Sequence, residues 1–69
     1  MDTEKINDNF SYHPPKNDQQ KRYELLRQSV KNCALDINMH CPESREKALA
    51  MTNLEQAVMW ANAAITRNE

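Results

Sequence analysis

Glycine is absent from this 69-residue chain. Without it, no Gly-rich loop of the dinucleotide or P-loop kind can cradle a phosphate. The tight β-hairpin turns that favour glycine are disfavoured as well. Cysteine is scarce: Cys33 and Cys41 do not make the disulfide framework of a small secreted scaffold. Their plain reading is a pair of free thiols in a reducing cytosol. No N-terminal apolar run resembles a signal peptide, and no stretch approaches the ~20 apolar residues of a membrane span. An excess of positive charge is also missing. Nine Lys and Arg face ten Asp and Glu, for a net charge of −1. That balance argues against a surface built for DNA or RNA polymers. The length admits one domain over residues 1–69. A domain of that size buries only about 60% of its unfolded surface and is marginal alone.

What the chain does have is helical periodicity. Residues 1–9, MDTEKINDN, are polar and aperiodic and read as a loose tail. The arm FSYHPPK follows, so that residues 1–16 are tail and arm. Pro14 and Pro15 keep it extended, and the proline after His13 pushes that residue to β or polyproline geometry. A first helix is predicted over about residues 17–40, capped by Asn17 or Asp18, with Asn17 and Gln20 at capping-box spacing. Its apolar positions Tyr23, Leu26, Val30, Cys33 and Ile37 are spaced 3, 4, 3, 4, with Ala34 and Cys41 widening the stripe. Lys21, Glu24, Gln28, Lys31, Asn32 and Asp36 fill the opposite side.

The segment MHCPES breaks this pattern. Pro42 suits the first position of a second helix, predicted over about residues 42–67, and Glu43 and Glu46 suit its N-terminal turn. The stripe Met51, Leu54, Val58, Ala61 and Ile65 repeats the 3, 4, 3, 4 spacing. So short a connection predicts an antiparallel hairpin, and the fold class is all-α. Ala50, Ala57 and Ala64 form a further line at heptad spacing with Trp60 beside it. That is more apolar surface than one partner helix covers. The hairpin reads as half a core that self-associates into a homo-oligomeric helical bundle; the alternative is a monomer whose arm covers the face.

Chemistry-bearing residues are few. Cys33, His40 and Cys41 lack the paired short spacings of a structural zinc site, so no metal is expected. Cys33 falls in the core stripe, where a thiol packs as a small apolar group. Cys41, near a helix start, has no base set beside it, and no enzyme is expected. No cofactor is implied. On the arm, Phe10 and Tyr12 either staple it to a helix face or offer a stacking platform for bases. Arg27, next to Leu26, is either a solvated helix cation or a planar fork for phosphate at an interface rim. Ser29 reads as an ordinary exposed helical serine, and Arg67 as a cation at a helix C-terminus. Asn62, set among alanines, suits a register-fixing amide across an interface.

FSYHPP, then QKRYELLR, then CPESREKALAMTNLEQAVMWANAAITRNE resemble the phage anti-CBASS cyclic-oligonucleotide sponge family, from about Phe10 to Glu69. The run Met59-Trp60-Ala61-Asn62-Ala63-Ala64 is the most specific part. The resemblance implies a helical hairpin assembling as a hexamer, a trimer of dimers, in the cytoplasm of the infected bacterial host. It implies a protein that holds cyclic di- and trinucleotide immune signals without cleaving them. It places Tyr12, with His13 as neighbour, over a cyclic dinucleotide whose phosphates meet Arg27. It places Ser29 and Arg67 at a separate cyclic trinucleotide pocket.

Overall fold

The computed structural model describes residues 2–12 and 14–69. Among them lie three helices and no strand: α1 (Thr3–Asn9), α2 (Gln19–His40) and α3 (Arg45–Asn68). Residues 3–9 of the stretch expected to be a loose tail are therefore helical. Their caps make them so. The Asp2 carboxylate accepts the Glu4 N–H at 3.1 Å, and Glu4 sits in the first turn, where an acid is favourable. The Phe10 N–H closes the other end on Ile6 O at 3.1 Å. No α1 residue is buried. A seven-residue helix with no packed face leaves no stripe to read in the sequence.

α2 begins differently from the expected capping box. Asn17 adopts φ 50°, a left-handed conformation that asparagine tolerates better than most residues. Asp18 is the N-cap but makes no side-chain capping bond. Its Oδ1 lies 3.3 Å from Arg22 Nε instead. That is an ion-pair contact without hydrogen-bond alignment, since Arg22 Nε has no hydrogen-bond partner. Gln19 ties the start of the helix down. Its Oε1 accepts the Lys16 N–H at 2.9 Å, and the side chain is only 5% exposed.

α3 starts at Arg45, three residues after the proline taken as its first position. The Ser44 hydroxyl accepts the Lys47 N–H at 3.1 Å, satisfying one of the orphan donors of the first turn. Pro42 and Glu43 thus belong to the turn, while Glu46 lies in the first turn of the helix as expected.

Two tethers fasten α2 to α3 away from the turn, and one fastens it beside the turn. The Arg22 guanidinium donates to both carboxylate oxygens of Glu69, one of them at 2.8 Å, and Gln19 Nε2 donates to the same carboxylate at 3.4 Å. One turn further in, the Tyr23 and Thr66 hydroxyls are 2.6 Å apart. Beside the turn, Lys47 Nζ donates to Asn38 O at 3.2 Å and to the Glu43 carboxylate; the lysine is 8% exposed. A buried ammonium is tolerated because it meets both a carbonyl and a carboxylate.

Between these ends the stripe of α3 faces α2 as expected: Met51, Leu54, Val58, Ala61 and Ile65 are all half-buried. On α2, Tyr23, Leu26, Val30 and Ile37 are half-buried, but Cys33 is exposed and Ala34 takes its place in the seam. The two positions flank the stripe about equally at 100° per residue, so the lie of α3 decides which is covered. The far side of α2 is not wholly polar either, since Leu25, Leu35 and Met39 are exposed. Among the described residues no hydrophobic side chain is buried. The molecule measures 46 × 29 × 14 Å, so its thin dimension is close to a single helix layer of about 10–12 Å.

Candidate functional site

Two concavities mark the hairpin. The first, about 230 Å³, lies midway between α2 and α3. Val30, Ala34, Met51, Leu54 and Val58 form its floor, and Arg27, Lys31 and Glu55 bring charge to it. The second, about 310 Å³, lies between the N-terminal segment and the last turns of α3. Asp8, Asn9, Ser11 and Tyr12 line one wall; Asn62, Ala63, Thr66 and Arg67 line the other.

Local structure places each of these groups. The Ser11 hydroxyl donates back to Asn7 O and its N–H to Asp8 O at 3.4 Å, tying the residue after the C-cap to the end of α1. Tyr12 then extends from the arm with 85% of its surface exposed, and Phe10 with 87%. The packing explanation for these aromatics therefore does not hold in the single chain. Asn62 and Thr66, one turn apart on α3, present an amide and a hydroxyl to the cleft, with Arg67 beside them. Asn62 Oδ1 is buried and has no hydrogen-bond partner. Thr66 is held by Tyr23. Just beyond lies the Arg22–Glu69 pair. The hydrogen bonds from Arg22, and then Gln19, hold the Glu69 carboxyl below the usual carboxylate range. The Glu69 bond raises the affinity of the Arg22 guanidinium for its proton in turn.

The expected site residues distribute as follows. Tyr12 and Arg67, assigned to different ligands, line one cleft. Arg27 lines the mid-hairpin groove, and Ser29 is exposed on α2 and lines neither. His13 lies outside the described residues. Asn9, Ser11 and Thr66 were missed by sequence reasoning. The one available signal was that Asn62 and Thr66, four residues apart, share a helix face. Among the described residues no three His, Cys, Asp or Glu side chains gather into a metal-holding group. Among the same residues no helix is long and apolar enough to cross a membrane.

Fold and clefts together describe a small helical-hairpin protein with an apolar-floored groove between its long helices and a cleft of mixed polarity beside the N-terminal segment. The sequence pattern of the Acb2/Tad1 hairpin domain matches residues 2–66, and the chain belongs to that family, the anti-CBASS sponges. It is a family of sponge-type binding proteins. No curated protein sequence and no solved structure matches the chain.

Proposed function

We propose that this protein binds and sequesters cyclic oligonucleotide second messengers without cleaving them, and so keeps the effector of a CBASS immune system inactive in the cytoplasm of an infected bacterium. The family match over residues 2–66 carries the reading. The exposed aromatic arm beside a cleft of hydroxyls, amides and a guanidinium supports it. In this reading Tyr12 stacks on a base of a cyclic dinucleotide, His13 flanks it, and Arg27 meets the phosphates with a planar, permanently charged fork. Ser29 and Arg67 contact a cyclic trinucleotide.

The long helices run antiparallel, and the protomers assemble as a hexamer, a trimer of dimers. What supports assembly is the apolar surface left over: no hydrophobic side chain is buried among the described residues, and Trp60 is 60% exposed. Pockets shared between protomers also let Arg27, on the mid-hairpin groove, approach a Tyr12 from another copy.

Calorimetric titration with cyclic GMP-AMP and with a cyclic trinucleotide tests the proposal, followed by heating and recovery of the ligand. Saturable binding with intact ligand recovered is the expected result. Linear product would point to an enzyme. Absence of binding at low micromolar concentration would leave a structural oligomerisation module, which the same exposed apolar surface would serve.

A further inference from the structure

We propose that Asn62 is a base-reading residue: its Oδ1, on the α3 wall of the terminal cleft, accepts an N–H from the exocyclic amino group of a purine seated against the arm. The inference rests on the sponge reading and names which edge of the ligand that cleft takes.

Three observations carry it. Asn62 Oδ1 is buried yet unpartnered, while the residue lines a cleft of about 310 Å³. A buried acceptor left without a donor costs about 1–3 kcal/mol, so an incoming N–H at that point is favoured twice, by the bond and by relief of the penalty. The cleft also has the wrong charge to be a phosphate seat, because Asp8 lies across from Arg67. A neutral base with an amino edge suits a wall of mixed sign, and a phosphate does not. Finally, the opposite wall runs from the end of α1, at Asp8 and Asn9, into Ser11 and Tyr12, which lie beyond the helix, and the Tyr12 ring is exposed. Such a wall yields enough to admit a flat group and uncover the oxygen. Asn62 lies on a helix and does not shift with it, so the arm provides the stacking face and α3 the hydrogen-bond register.

The experiment compares cyclic GMP-AMP with an analogue carrying hypoxanthine and purine in place of guanine and adenine. Both keep flat faces and both phosphates; the analogue lacks only the exocyclic amines. Binding of each is measured by calorimetry on the full chain, on Asn62→Ala and on Asn62→Asp, with helix content checked by circular dichroism. The parent is expected to prefer the amine-bearing ligand by on the order of tenfold, the scale of a base-edge hydrogen bond to a site otherwise left unsatisfied. Asn62→Ala is expected to bring that ratio close to one, whereas Asn62→Asp, which keeps an acceptor at the same place, retains it. An equal ratio in the parent and in Asn62→Ala overturns the role of Asn62 and leaves the sponge reading standing. No preference in the parent does the same. A parent that binds neither ligand overturns both.

Discussion

The mid-hairpin groove and the terminal cleft are of similar size but are made in opposite ways. The groove is the unfinished middle of the helix seam: Val30, Ala34, Met51, Leu54 and Val58 meet there and none is fully buried. The cleft is lined mostly by polar side chains, and its outer wall is the N-terminal segment with the exposed Tyr12 ring. Stability therefore resides in the apolar floor of the groove and the tethers at its ends, while recognition, as proposed, falls to the cleft and to Arg27 at the groove's edge. A substitution on the apolar floor of the groove should be felt by the fold, and one in the cleft or at Arg27, on the groove's charged edge, by the ligand.

Tyr12→Ala gives the largest expected effect. Loss of a stacking face is worth about 1–3 kcal/mol per base, so cyclic dinucleotide binding should weaken roughly tenfold to a hundredfold. Because the ring is exposed, helix content and melting temperature should stay at parental values. A matching loss of melting temperature would mean that the arm packs, and the division between the two clefts would fail. Arg27→Ala should weaken the same ligand comparably while leaving the assembled mass unchanged in light scattering.

Leu54→Ala tests the other side. A half-buried leucine in the seam contributes about 1–2 kcal/mol, which in a chain of this size lowers the melting temperature by several degrees. Asn62→Ala should shift it little by comparison. Should the two variants melt alike, the cleft is as structural as the groove.

Ser44→Ala comes next. It removes the acceptor for the Lys47 N–H and should cost about 1 kcal/mol of stability, read by thermal denaturation. The effect is local to the start of α3, so ligand affinity at the far end of the helix should not change.

How much of this was legible before the fold can be traced residue by residue. The α3 stripe was fully readable, because five positions at helical spacing all face the same neighbour. The start of α3 was misplaced because Pro42 and Ser44 both carry start signals, and only the bond to Lys47 decides between them. Cys33 and Ala34 were indistinguishable by angle and were sorted by where α3 lies. α1 was illegible, since its caps hold it and no packed face does. For the site, the arm stood out through Pro14 and Pro15. That Tyr12 shares a cleft with Arg67 was not readable, because residues so far apart in sequence meet only through the lie of the arm on α3. The orphaned Asn62 oxygen is a property of that same meeting.

The smallest effect sharpens the comparison at the boundary between tether and cleft. Arg22 and Gln19 bind the Glu69 carboxylate, one turn beyond Thr66 and Arg67 on the cleft wall. Those bonds depress the Glu69 carboxyl in the folded protein, so their contribution is present above its unfolded value and is lost as pH falls through the folded one. Thermal stability should therefore decline on acidification through the carboxylate range and below it, and Glu69→Gln should flatten that part of the profile. The pair is surface-exposed, so the change at neutral pH should be slight and should shrink further with added salt. If Glu69→Gln also weakens ligand binding at neutral pH, the tether shapes the cleft. If only the acid limb of the melting profile moves, the end of α3 holds Arg67 and Asn62 in place without it.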